Sequence, residues 1–173
     1  MDYTITTIDG KLYHHGIKGQ KWGVRKYQYA DGSLTPAGKK KYGKVEKKYA
    51  KAGKIQGKSD YYKSEGDSIK KNHDNKALAL EKQAKVYEKN NKFLKAEAAR
   101  TAANAIRKRG ENASKESYEM AKVYAKRAER ANQKASEFAS RKKVDLGKEK
   151  INSILKESKN KGYAIASFQA EVG

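Results

Sequence analysis

NKALALEKQAKVYEKNNKFLKAEAARTAANAI, residues 75–106, is the stretch on which the fold turns. Within and around it Ala77, Leu80, Ala84, Tyr87, Asn91, Leu94, Ala98, Thr101 and Ala105 alternate steps of three and four. That spacing aligns side chains along one face of an α-helix. A second series, Tyr118, Ala121, Ala125, Ala128, Asn132, Ala135 and Ala139, repeats it. RKRGEN at 107–112 separates the two, and Gly110 supplies a helix-break signal. Alanine at a seam lets helix axes approach closely, so residues 73–146 are predicted to form an antiparallel helical hairpin. One long helix that dimerises as a coiled coil is the alternative, which leaves a homodimer open. Asn91 and Asn132 fall at seam positions. A buried polar residue there fixes register or oligomeric state at a cost in stability, so both are read as register residues.

Toward the N-terminus, Thr35 reads as a helix N-cap with Pro36, the only proline, at the first helical position. Residues 36–58 carry nine lysines and one acid, Glu46. Tyr42, Val45, Tyr49 and Ala52 form a narrow apolar stripe at helical spacing, opposite a face that is almost pure lysine. Gly53, Gly57 and Gly66, with SDYYKSEGDS, predict a loose connector over about 53–72.

Residues 1–35 read as a small β-rich unit: YTITTI, a turn at Asp9-Gly10, KLYHH, then WGVRKYQY ending at Asp31-Gly32. Trp22 with Tyr13, Ile17, Val24 and Leu34 is its expected core. Residues 147–173 hold a short amphipathic stretch at Ile151, Ile154 and Leu155 and a mildly apolar tail. The expected fold is mainly α (α+β), in four segments: 1–35, 36–72, 73–146 and 147–173.

The charge is +21, from 41 Lys and Arg against 20 acids, over 173 residues. Such an excess makes a polyanion the default partner, and a hydrophobic share of 36% limits the core. Cysteine is absent, which excludes disulfides and thiolate chemistry. MDYTITTIDG lacks a basic segment followed by an apolar one, and no apolar run approaches the roughly 20 residues of a membrane span. The chain is therefore expected not to be secreted and to have no membrane partner.

HHGIKGQKWGVRKY, residues 14–27, concentrates the remaining chemistry. Neighbouring strand residues point to opposite faces, so His14 and His15 do not share a metal, and no cysteine or acidic cluster completes a site. A nuclease built on either histidine needs a carboxylate, and Asp9 and Asp31 serve better as turn residues. No catalytic residue, metal or cofactor is assigned. Gly16-Ile17-Lys18-Gly19 matches the four-letter loop of KH domains, but its flanks read as strand rather than helix. What remains is an anion-contact surface: Lys18, Lys21, Arg25 and Lys26, continued by Lys39, Lys40, Lys41, Lys44, Lys47 and Lys48. Tyr42 and Tyr49 line the helix stripe, whereas Tyr61 and Tyr62 are left open between packing and base stacking.

HHGIKGQKWGVRKYQYADGSLTPAGKKKYG, residues 14–43, resembles a short module of tailed phages and prophages of Gram-positive bacteria, where it occurs in head-morphogenesis and other virion-associated proteins. The resemblance implies a phage or prophage origin and a place in the virion or the host cytoplasm. The expected function is non-enzymatic binding: nucleic acid held electrostatically without sequence preference, and a phage or host protein held by the hairpin. The alternative is an inhibitor of a host defence nuclease, in the manner of an anti-CRISPR protein.

Overall fold

The computed structural model describes residues 7–8, 11–12, 26–29 and 32–172. The protein is mainly helical, with α1 at Pro36–Lys89, α2 at Phe93–Lys142 and α3 at Lys148–Val172. The chain divides into two compact units, Met1–Gly43 and Lys44–Gly173; α1 begins in the first and ends in the second.

In the first unit, β1 (Thr7–Ile8) pairs antiparallel with β2 (Lys11–Leu12), Ile8 opposite Lys11. The rest of the expected β-rich unit lies outside the described residues, including Tyr13, Ile17, Trp22 and Val24 of its expected core. Leu34 is half-buried and bridges Gln28. The chain folds back here through a turn in which Gly32 donates to the Tyr29 carbonyl at 3.0 Å with φ +83°, a conformation glycine adopts without steric cost. The Thr35 hydroxyl then accepts from the Gly38 amide at 3.1 Å and donates to the Lys26 carbonyl at 2.8 Å. Thr35 thus caps the first turn of α1 as its residue type and the following proline predict.

In the second unit α1 and α2 form an antiparallel pair. Arg100 meets Glu88, Arg107 meets Glu81, Tyr118 donates to Asp67, and Ser59 donates to the Ala121 carbonyl. Along this series the α2 number rises as the α1 number falls. Helix α3 runs parallel to α1 instead: Lys150 pairs with Glu46, Lys159 with Asp60, and Tyr163 donates to Ser64. The hairpin is therefore three helices thick where α3 lies along it, and two helices thick beyond. At about 1.5 Å per residue, the 50 residues of α2 and the 25 of α3 make α3 half as long as the pair it covers.

Small side chains dominate the interior. Val45, Ala52, Ala77, Ala84, Ala103 and Ala135 are all within 2% of full burial. The seams read from the sequence hold on α1 at Ala77, Leu80, Ala84 and Tyr87, and on α2 at Ala121, Ala128, Ala135 and Ala139, all buried or partly buried.

Several expectations require correction, among them the short stretch and tail expected at 147–173, which form one helix, Lys148–Val172. The connector at 53–72 does not exist, because α1 is unbroken from Pro36 to Lys89. Its glycines sit where another helix comes too close for a side chain: a Cβ on Gly57 would lie within 2.0 Å of the Lys159 carbonyl oxygen. Gly110 likewise does not break α2; a Cβ there would lie 2.5 Å from the His73 Cβ.

The hairpin turn falls at 90–92 instead. Asn91 adopts φ 54°, its amide donates to the Glu88 carbonyl at 3.0 Å, and Lys92 donates to the Tyr87 carbonyl at 2.8 Å. This is the paired-bond helix ending that asparagine, after glycine, best tolerates. Asn91 is thus a turn residue and not a seam residue. The turn also resets the phase, so Leu94, Ala98, Thr101 and Ala105 face solvent while Ala96, Ala99 and Ala103 are buried. Asn132 is exposed as well, with Ala131 taking the inward position beside it.

Candidate polyanion-binding face

Helix α1 continues through Gly53 and Gly57, so its lysine face continues with it. In the second unit Lys44, Lys47, Lys51 and Lys54 recur at steps of three, four and three. They therefore share one helix face, over about 15 Å of axis. All four are exposed. The acids of this stretch are engaged by α3: Glu46 by Lys150 and Asp60 by Lys159, both at 2.6 Å. Among the described residues no carboxylate lies within ion-pair distance of Lys44, Lys47, Lys51 or Lys54. The facing part of α2 is also basic, at Lys126, Arg130, Lys134 and Arg141, but Glu129 and Glu137 interrupt it. The α1 face is the single-sign one.

The residues expected from the sequence divide into three groups. Lys18, Lys21 and Arg25 lie outside the described residues, as do His14 and His15. In the first unit Lys39 and Lys40 are exposed, while the ammonium groups of Lys26 and Lys41 stand 5.7 and 4.1 Å from the centroid of the Tyr27 ring. In the second unit Lys44 and Lys47 belong to the exposed face, whereas the Lys48 ammonium sits 4.6 Å over Phe138 of α2, a cation–π position. Lys54 was missed because Gly53 and Gly57 were read as the end of the helix; Lys51 lay within the expected helix and was not singled out.

Tyr61 and Tyr62 belong to the packing. Tyr62 stacks on Tyr124 of α2 at 5.5 Å and 7° between ring planes, and Tyr61 meets Tyr163 of α3 edge-on at 5.6 Å. Lys58 and Arg127 stand 5.9 and 5.6 Å from the Tyr124 centroid. The cluster ties all three helices together, and burial raises the hydroxyl pKa of both Tyr61 and Tyr62 above its ordinary value. Tyr62 already has Tyr124 against it and the edge of Tyr61 at 5.4 Å. Base stacking would require taking this junction apart.

A cavity of about 260 Å³ lies where α2 passes into α3, lined by Tyr49, Ser136, Val144, Asp145 and Ile151 among others. Its carboxylate, Asp145, accepts from the Gly147 amide at 2.8 Å and so serves the turn. The remaining histidine, His73, has Nδ1 2.9 Å from the Ile69 carbonyl one helical turn away. Among the described residues no group of three or more histidines and carboxylates is placed to hold a metal ion, and no helix is long and apolar enough to cross a membrane.

Residues 5–29 match a family of unknown function, DUF7211. No curated protein and no solved structure matches the chain.

Proposed function

We propose that the protein is a non-enzymatic, phage- or prophage-encoded binding protein that holds nucleic acid against the lysine face of α1 and a protein partner along its helices. The observation that carries this reading is the row Lys44, Lys47, Lys51 and Lys54, exposed and with no carboxylate of the described residues at ion-pair distance. The overall charge of +21 supports it. So does the resemblance of residues 14–43 to a virion-associated module, which supplies the phage setting. The contacts are to phosphates, which carry no sequence information, so binding is sequence-tolerant. In the first unit Lys39 and Lys40 are further phosphate contacts, with Lys18, Lys21, Arg25 and Lys26 as the N-terminal basic segment.

The test is a fluorescence-anisotropy titration on duplex DNA, single-stranded DNA and RNA across salt concentrations, with a variant carrying glutamine at positions 44, 47, 51 and 54. Each phosphate neutralised contributes about −0.9 to the log–log salt slope on duplex DNA, so losing four contacts flattens the slope by about 3 to 4. An unchanged slope in a folded variant rejects this face. A wild type that fails to bind at moderate salt rejects nucleic acid altogether.

A further inference from the structure

The closed end of the hairpin lies far along the pair from α3 and has a different chemistry from the lysine face. Phe93 and Leu94, the first two residues of α2, are 65% and 84% exposed. They follow immediately on the turn held by the Asn91 and Lys92 amides at 3.0 and 2.8 Å, so the two apolar side chains stand at the extremity of the rod. Exposure of the larger apolar side chains singly is ordinary, but two in succession at a convex tip invite a partner. Around them Lys89, Lys92 and Lys95 are all exposed and residues 89–96 contain no acid, so the three lysines outnumber the one exposed acid beside the tip, Glu97. Glu88, just before, is engaged by Arg100 at 2.6 Å.

We propose that this tip is a contact for an anionic lipid surface: Phe93 and Leu94 enter the headgroup region and Lys89, Lys92 and Lys95 hold the lipid phosphates. A bilayer interface accepts a small convex apolar protrusion without a shaped pocket, and its negative potential matches the excess of lysines around the tip. The contact is peripheral. It adds a partner that the absence of a membrane-spanning run argues against only in its spanning form, and it is independent of nucleic-acid binding at α1.

The experiment uses the full chain and vesicles of phosphatidylcholine with or without phosphatidylserine. Because cysteine is absent, an environment-sensitive dye can be attached singly at Leu94→Cys, with Lys51→Cys as the comparison. On phosphatidylserine vesicles the dye at position 94 is expected to shift to the blue and to be quenched by brominated acyl chains, while the dye at position 51 is not. Phe93→Ser with Leu94→Ser, both exposed and so harmless to folding, is expected to weaken vesicle binding by about ten- to a hundredfold, given the area two such side chains bury. Binding that is unaffected by this double change would show adhesion by charge alone and overturn the proposal. So would an unshifted dye at position 94, or no binding to either vesicle.

Discussion

Gly57→Ala and Gly43→Ala make the same chemical change in the same helix, and the structure predicts opposite outcomes. A Cβ on Gly43 meets nothing within 4 Å. Alanine there removes the backbone freedom that glycine brings to a helix, a gain of about 0.5–1 kcal/mol. A Cβ on Gly57 would lie within 2.0 Å of the Lys159 carbonyl oxygen and 2.6 Å from the Tyr163 amide nitrogen of α3. These are backbone atoms, so no rotamer change relieves the clash, and the α3 backbone must retreat by about 1.4 Å to restore ordinary contact. Overpacking of this kind costs about 1–3 kcal/mol. Net of the propensity gain, Gly57→Ala is expected to destabilise by about 1–2 kcal/mol. For a chain of this size that lowers Tm by about 2–8 °C, whereas Gly43→Ala raises it by about 1–4 °C. Circular-dichroism melting measures both. Hydrogen exchange adds a spatial check, since only Gly57→Ala should speed exchange in α3. If Gly57→Ala proves as stable as Gly43→Ala, the close α1–α3 approach is not real.

Asn91→Gly is expected to stabilise the hairpin by a few tenths of a kcal/mol, and Asn91→Leu to destabilise it by about 1–2 kcal/mol, because a left-handed backbone penalises a branched side chain. Chemical denaturation reads both, and sedimentation should find no change in oligomeric state in either. Thr35→Ala, which removes the acceptor for the Gly38 amide, is expected to cost about 1 kcal/mol and fray the start of α1. The Arg107 guanidinium hydrogen-bonded to Glu81 holds that carboxyl below its ordinary pKa. The pair therefore contributes stability above the unfolded carboxylate pKa and loses it as pH falls through the depressed folded value. Melting curves of the wild type and Glu81→Gln should accordingly differ at neutral pH and converge on acidification; a gap that persists at low pH contradicts the assignment.

How much of this was legible beforehand depends on whether a residue's role is set by its own neighbours in sequence. Thr35-Pro36 announces a helix start through local capping chemistry, and the capping bond forms as expected. Ala77, Leu80, Ala84 and Tyr87 announce a buried face because the helical period is a property of the backbone alone. The position of the hairpin turn was not legible. RKRGEN carries a glycine and NNK does not, so local propensity favours the wrong site. The candidate binding face was half legible: Lys44 and Lys47 were found, Lys51 was passed over inside the expected helix, and Lys54 was lost with the supposed connector.

The sequence by itself determined alanine-seamed helices and a lysine-rich face near the start of α1, which follow from period, capping and charge; it left a hairpin and a long dimerising helix both open. Only the tertiary structure decided what the glycines mean. A helical glycine costs about 1 kcal/mol wherever it stands, and that local penalty reads as a break. Whether the helix continues depends on what is gained when a second backbone occupies the missing side chain's place. Gly57 and Gly162 have α3 and α1 at such range that a Cβ would fall within 2.0 and 2.1 Å of a carbonyl oxygen. That gain comes from residues about a hundred positions away in the chain. No window of local sequence contains it.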